Sequence, residues 1–393
     1  MTTALILSGG GARAAYQVGV LKAVARLLPR RTHNPFPVIS GTSAGAINAL
    51  AIASNAGTLR YRVRRLECIW RQLEAQNIYR TDLLGVLKNS LKVGFSLLNQ
   101  GYGPRKPLAL LDNTPLRALL QREISFRHID EAIAAGHLRA IAINAMNYQS
   151  GQSVAFFQGN THIQEWRRAR RMGVRCGLTI NHLMASAAIP TLFPAVKIDQ
   201  PYYGDGAMRQ HKPLSPALKL GATRLFVIGV SDNPTHPDQT VQTTHQPSIA
   251  QIVGHLLNSA FIDSIESDLE TLHTINRLIA PLSQDEIKRH DLAHLRKVDC
   301  LTITPSQPID SIASEYIDKL PNSVRLFLRL TGATARGGGA SAASYLLFQP
   351  DFCREMIRLG LCDALEQEDQ IRAFFHQESE ASTARTFCMA STS

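Results

Sequence analysis

The apolar run Ala4-Leu5-Ile6-Leu7 ends in Ser8-Gly9-Gly10-Gly11, and Ala14 to Leu28 then carries Val18, Leu21, Val24, Ala25 and Leu28 at helical spacing. That order predicts a strand, a glycine turn and a helix. Pro35 to Ile39 is a second apolar run, followed by Ser40-Gly41-Thr42-Ser43-Ala44-Gly45 and an alanine-rich helix from about Ala46 to Ser54. The same grammar twice within forty-odd residues predicts an α/β fold whose mainly parallel sheet is covered on both faces. Ligand contacts then belong at the carboxyl ends of the strands, where both glycine turns sit.

Beyond residue 58 the pattern turns helical. An arginine-dense segment (Arg60, Arg62, Arg64, Arg65, Arg71) leads to an apolar stretch, Leu83 to Leu98, with the character of a lid. Leu138 to Asn144 and Ser153 to Phe157, joined through Ser150-Gly151, predict a hairpin or paired strands. A short helix closes at Ala185 to Ala188. Val196 to Ile198 and Tyr202-Tyr203 flank a turn that runs into Gly204-Asp205-Gly206-Ala207. Pro213 to Leu220 reads as helix and Leu225 to Val230 as a buried strand. Ser231 to Pro247 has loop composition, Ile249 to Ile279 fits one long amphipathic helix, Cys300 to Ile303 a further strand, and the Ser/Thr/Ala-rich end a disordered tail.

At 393 residues with 45% hydrophobic and 19% charged, the chain is an ordinary globular protein, not a disordered, collagen-like or coiled-coil one. The formal charge of +11 suits an anionic partner without naming it. Cys68, Cys176, Cys300, Cys353, Cys362 and Cys388 form no metal-type pairs, which predicts free thiols in a reducing compartment. No apolar run reaches the roughly 20 residues of a membrane span. The expectation is a soluble, cytoplasmic protein, peripheral to a membrane at most.

Gly41-Thr42-Ser43-Ala44-Gly45 has the Gly-x-Ser-x-Gly form of a nucleophile elbow, in which glycines let the backbone fold tightly around a serine between strand and helix. Gly9-Gly10-Gly11-Ala12-Arg13-Ala14 fits either a dinucleotide-binding turn or an oxyanion hole. A dinucleotide needs an acidic residue at the end of the second strand. Ile39-Ser40-Gly41 stands there instead, so the oxyanion reading is preferred. A serine needs a base. Asp205, framed by Gly204 and Gly206, is one candidate, and His211, six residues on, is the other. Arg13 could meet a phosphate headgroup or cap a helix. Arg167, Arg168, Arg170, Arg171 and Arg175 beside Trp166, with the cluster near Arg64, could touch phospholipid headgroups, although such runs are ordinarily solvated helix faces. Nothing resembles a nucleic-acid-binding motif.

The order of glycine loop, Gly-x-Ser-x-Gly and Asp-Gly-Ala resembles the patatin-like phospholipase family in its bacterial form. So do Leu111-Asp112-Asn113-Thr114-Pro115-Leu116, Ala185-Ser186-Ala187-Ala188-Ile189-Pro190 with Phe193-Pro194, and His211-Lys212-Pro213-Leu214 with Gly221-Ala222. The likeness spans roughly residues 4 to 230, and Ser344-Tyr345-Leu346-Leu347-Phe348 is similar to a weaker C-terminal feature. One departure is Ala14 in place of a final glycine. The resemblance implies a three-layer α/β/α fold with an inserted helical region at about 58–135. It implies one domain over 1–375, with the segments from 247 onward packed on the motif-bearing core, and a tail at 376–393. It also implies Ser43 as nucleophile, Asp205 as its base, Gly9, Gly10 and Gly11 as oxyanion loop, Gly41 and Gly45 as the elbow, an acyl-ester lipid substrate, and no metal or cofactor. A catalytically silent lipid-binding module and a dinucleotide-dependent oxidoreductase are the alternatives.

Overall fold

Alternate residues of the central strands feed two separate cores, and this is what makes the fold three-layered. Leu5, Leu7, Ile39, Ile141, Ile143, Phe226 and Ile228 join one apolar cluster, while Ala4, Ile6, Val38, Ala140, Ala142, Leu225 and Val227 join a second one on the opposite face. The computed structural model of the chain describes residues 1–80, 82, 109–231, 249–283, 286, 296–325 and 340–376. The expected lid (Leu83 to Leu98), the Ser231 to Pro247 loop beyond its first residue, and the tail beyond 376 lie outside the described residues.

The strands are β1 (Thr3–Leu7), β2 (Val38–Thr42), β3 (Ala140–Asn147), β4 (Ser153–Gly159), β5 (Trp166–Arg168), β6 (Arg171–Arg175), β7 (Val196–Lys197), β8 (Tyr202–Asp205), β9 (Arg224–Ile228) and β10 (Asp299–Ile303). They form one sheet in the order β10-β9-β1-β2-β3-β4-β6-β5, with β8 on β3 and β7 on β8. The run from β10 through β3 is parallel, and the pair β3–β4 is antiparallel, as the hairpin pattern predicts.

The helices are α1 (Ala15–Leu27), α2 (Ala44–Ala53), α3 (Leu59–Arg71), α4 (Ala75–Ile78), α5 (Thr114–Glu123), α6 (Phe126–Ala134), α7 (Ile180–Ser186), α8 (Ser215–Lys219), α9 (Ile249–Asn258), α10 (Ser264–Ile279), α11 (Ile309–Ser314), α12 (Ala340–Leu346) and α13 (Pro350–Glu366). Helices α1, α2, α3 and α13 supply the larger core, whereas α8 and α10 cover the other face. The inserted segment is helical where described.

Two expectations change. The amphipathic stretch from 249 to 279 is not one helix, because a π turn at Ser259–Asp263 interrupts it. Arg167 to Arg171 is not a helix face but the turn of the antiparallel pair β5–β6, with Arg170 at φ 58. The arginines of α3 are mostly committed to structure. Arg60 donates to the Ala25 and Arg26 carbonyls, buried Arg62 to the Ile52 carbonyl, and Arg65 to Asn55 Oδ1. Arg64, on the same helix, is exposed and takes no part in these bonds.

Candidate active site

Strands β1 and β2 are parallel neighbours, so the turns that follow them lie side by side at one end of the sheet. Ser43, at the end of β2, holds φ 55 and ψ −128, a conformation that costs a non-glycine residue roughly 1–3 kcal/mol and persists only where the surroundings enforce it. The enforcement comes from its glycines. A side chain on Gly41 would meet the Ala46 backbone, and one on Gly45 would collide with the Leu7 and Ser8 carbonyls. The Ser43 N–H donates to Ser186 Oγ at 2.9 Å, and Ser186 Oγ donates to the Asn144 carbonyl at 2.6 Å, which fixes the elbow to α7 and β3. The Ser43 side chain caps no amide of α2, so its hydroxyl sits at a helix N-terminus, where negative charge is favoured, without being spent on the helix.

The glycine loop lies against this elbow. A Cβ on Gly9 would stand 3.1 Å from Ser43 Cβ and inside the Phe261 ring, and Gly11, at φ 56, abuts the Tyr345 carbonyl. Among the described residues the Gly9 and Gly10 amides donate to no acceptor. Unspent N–H groups beside a serine are what an oxyanion hole requires. Ala14, the departure from the glycine pattern, is buried at the end of a 3₁₀ turn (Gly11–Ala14) that leads into α1.

Asp205 arrives from a distant part of the chain. Strand β8 pairs with β3 just past the end of β2, with Asp205 opposite Ala145. Its Oδ1 accepts the Ala207 N–H at 3.0 Å. Oδ2 is buried and, among the described residues, has no hydrogen-bond partner. Burial pushes this carboxyl up to about 7, against the opposing pull of the neighbouring Ser43 side chain and the Ala207 amide. Ser43 and Asp205 thus meet, close enough to influence each other, with no bond closed on Oδ2.

Ser43 and Gly11 line an apolar cleft with Ile47, Leu66, Trp70, Leu120 and Phe348 among its walls and Glu123 as the one carboxylate among them. Two other candidates lie elsewhere. His211 is exposed in the turn after β8 and lines a different, open groove with Met208, Lys212 and Leu256. The expected headgroup contact of Arg13 is corrected by its burial: Nε donates to Ser344 Oγ at 2.7 Å, Nη2 to Asp310 Oδ1 at 2.5 Å, and the guanidinium lies over the Tyr345 ring at 4.2 Å. Its charge is spent inside the protein.

Sequence reasoning also passed over several supporting groups. Asn144 donates to the Gly41 carbonyl at 3.0 Å and Thr42 Oγ1 at 3.1 Å, and Thr42 Oγ1 donates to Gln210 Oε1 at 2.5 Å. Nothing local in the sequence marks them. Phe261 is likewise unmarked, since the apolar spacing around it reads as one continuous helix and the π turn that carries it is seen only in the fold.

The patatin-like phospholipase family model matches residues 5–218. The chain belongs to this family. The matched segment runs from β1 into α8 and holds the glycine loop, the elbow and Asp205. Over 210 residues the chain is 26% identical to a cGAMP-activated phospholipase of Pseudomonas aeruginosa (strain BWHPSA011 / Pa011), covering 53% of this chain and 53% of that protein. The match thus spans about half the length of that curated relative. Among solved structures, VipD from Legionella pneumophila aligns with 94% of this chain and 67% of its own, at 11% identity and a TM-score of 0.33. No described helix is long and apolar enough to cross a membrane. No group of three or more His, Cys, Asp or Glu side chains that could hold a metal occurs among the described residues.

Proposed function

We propose that this patatin-like protein is a serine acyl hydrolase that cleaves fatty-acyl esters of phospholipids or related lipids through a Ser43–Asp205 dyad. The observation that carries the reading is the Asp205 carboxyl, buried, pushed up to about 7 and left with an open acceptor atom beside a strained serine that faces an apolar cleft. An effective base has a pKa near the working pH and lies within reach of the proton it takes. In its ionised form Asp205 accepts the Ser43 proton as Oγ attacks the acyl carbonyl. The oxyanion accepts hydrogen bonds from the Gly9 to Gly11 amides. Collapse expels the alcohol, which leaves with the proton held by Asp205. Water then gives its proton to Asp205 and cleaves the acyl-enzyme, releasing the fatty acid and restoring the serine. The sequence as written uses no metal or cofactor.

The apolar cleft supports the substrate class, since its walls match a hydrocarbon chain. The name of the Pseudomonas relative, a phospholipase, points the same way. Peripheral contact with a lipid surface follows from that substrate, and the chain's +11 charge supports it. A fluorophosphonate probe and a p-nitrophenyl acyl ester test the nucleophile. Wild type is expected to label and turn over, and Ser43→Ala to do neither; labelling that survives the substitution overturns the assignment.

A further inference from the structure

The arginine turn between β5 and β6 stands at the same end of the sheet as the candidate dyad. Register makes this explicit. Asp205 pairs with Ala145, Ala145 with Val154, Val154 with Met172, and Met172 with Arg167, so the five lie in one row across β8, β3, β4, β6 and β5. Four strand spacings of about 4.8 Å put Arg167 roughly 19 Å from Asp205. Arg168, Arg170 and Arg171 lie one step further out, at the rim. The Ser153 N–H donates to the Arg170 carbonyl at 3.0 Å, locking this turn to the adjacent β3–β4 turn.

Arg167, Arg168 and Arg170 are exposed, and none forms a salt bridge among the described residues. Lys219 nearby is held below its ordinary value, first by burial and then by Arg168 and Arg171. At the same end of the sheet two exposed tyrosines, Tyr148 just past β3 and Tyr202 at the start of β8, are tied by a 3.0 Å hydrogen bond from the Tyr148 N–H to the Tyr202 carbonyl. Tyr148 lies over Gly204, the residue before Asp205. Rings with a polar tip beside unpaired guanidinium groups suit the boundary between lipid headgroups and acyl chains, where tyrosine settles and arginine meets phosphate.

We propose that this rim, Arg167, Arg168 and Arg170 with Tyr148 and Tyr202, is the surface by which the protein docks on anionic lipid bilayers, bringing the end of the sheet that bears Ser43 onto its substrate. The proposal rests on the lipid-hydrolase reading above. It commits to a membrane rather than a soluble phosphate ligand because the exposed charges are spread along an edge turn of the sheet with exposed tyrosine rings at the same end, and among the described residues none of them donates to a buried partner that would gather them around one anion.

The test uses the full chain carrying Ser43→Ala, so that vesicles stay intact, sedimented with phosphatidylcholine vesicles with and without phosphatidylglycerol. Binding is expected to need phosphatidylglycerol and to weaken as salt rises. Arg168→Gln with Arg170→Gln is expected to weaken it roughly 25-fold, about fivefold per charge. In the otherwise wild-type chain the same pair should leave turnover of a soluble p-nitrophenyl ester and the melting temperature unchanged. Tyr202→Ser, on another strand, should weaken binding by a smaller factor. Unchanged binding in the double arginine variant overturns the proposal, as does equal binding to both vesicle types. Release by inorganic phosphate at matched ionic strength overturns it too, reassigning the arginines to a soluble anion. Failure of the hydrolase reading would appear separately, as soluble-ester turnover that survives Ser43→Ala while vesicle binding persists.

Discussion

A carboxyl with no exposure and one open acceptor atom is a burden on the fold that carries it. Asp205 titrates near 7 where an exposed aspartate titrates near 3.8, because water is excluded and only the Ala207 amide and the Ser43 side chain favour the charge. The native state therefore prefers the protonated form. The stability this gives is fully present below the unfolded value and is lost as pH rises through about 7. A rise from 3.8 to about 7 is worth on the order of 4 kcal/mol at most. Asp205→Asn keeps the acceptor for Ala207 and removes the titration. It is expected to melt above wild type at pH 8, to approach wild type near pH 4, and to lose at least a hundredfold in turnover. Thermal unfolding across pH, beside ester kinetics, checks both halves. Wild-type kcat/KM should rise with pH to a plateau above about 7, as a base with that pKa requires. Normal activity in Asp205→Asn would return attention to His211.

At the scale of elements, the glycine loop is held by segments nearly three hundred residues away. Arg13, two residues past Gly11, is gripped by Asp310 of α11 and by Ser341 and Ser344 of α12, and Tyr345 hydrogen-bonds Asn258 at the end of α9. All of these partners lie beyond the family-matched residues. Asp310 is itself 40% exposed, so its loss should not unfold the chain. Asp310→Ala is expected to cost roughly 1.5–3 kcal/mol, the range for a charged hydrogen bond, seen as a lower melting temperature. It should also lower kcat with little change in KM, because a loosened loop weakens contacts made only in the transition state. Arg13→Lys should behave alike, since an ammonium cannot reproduce the fork that spans Ser344 and Asp310. Steady-state kinetics with calorimetry decides. The same distances explain what could be read in advance. The βα units at β1 and β2 and the β3–β4 hairpin are written in apolar runs and glycines a few residues apart, so their local signals suffice. Arg13's partners, Ser186 behind the elbow and Gln210 beside Thr42 come from 143 to 331 residues away. The arginine turn carries no local strand signal, because an edge strand needs no alternation of apolar residues to hold its place.

For the molecule as a whole, the cleft is where the layers meet. Its floor is one stripe of α2, Ala44, Ile47 and Ala51, roofed by Leu66, Ile69 and Trp70 of α3, Leu116 and Leu120 of α5, and Tyr345 and Phe348 from the C-terminal region. The stripe follows α2 away from Ser43. At 1.5 Å per residue, Ala51 stands about 12 Å from the nucleophile, the length of roughly ten methylenes. Past it, Glu123 pairs with Arg65, which holds Asn55 just beyond the end of α2, so the cleft closes on charge. A hydrocarbon chain esterified at Ser43 would run along the alanines and stop before those ions, where burying a methyl beside charges gains little. Ala51→Phe should then act as a plug. It is expected to cut kcat/KM for long-chain p-nitrophenyl esters by at least roughly 10- to 200-fold, the range a single methylene commands in an apolar pocket, while butyrate esters keep wild-type rates. If all chain lengths fall together with the melting temperature unchanged, the acyl group does not follow α2, and the cleft serves some other part of the substrate.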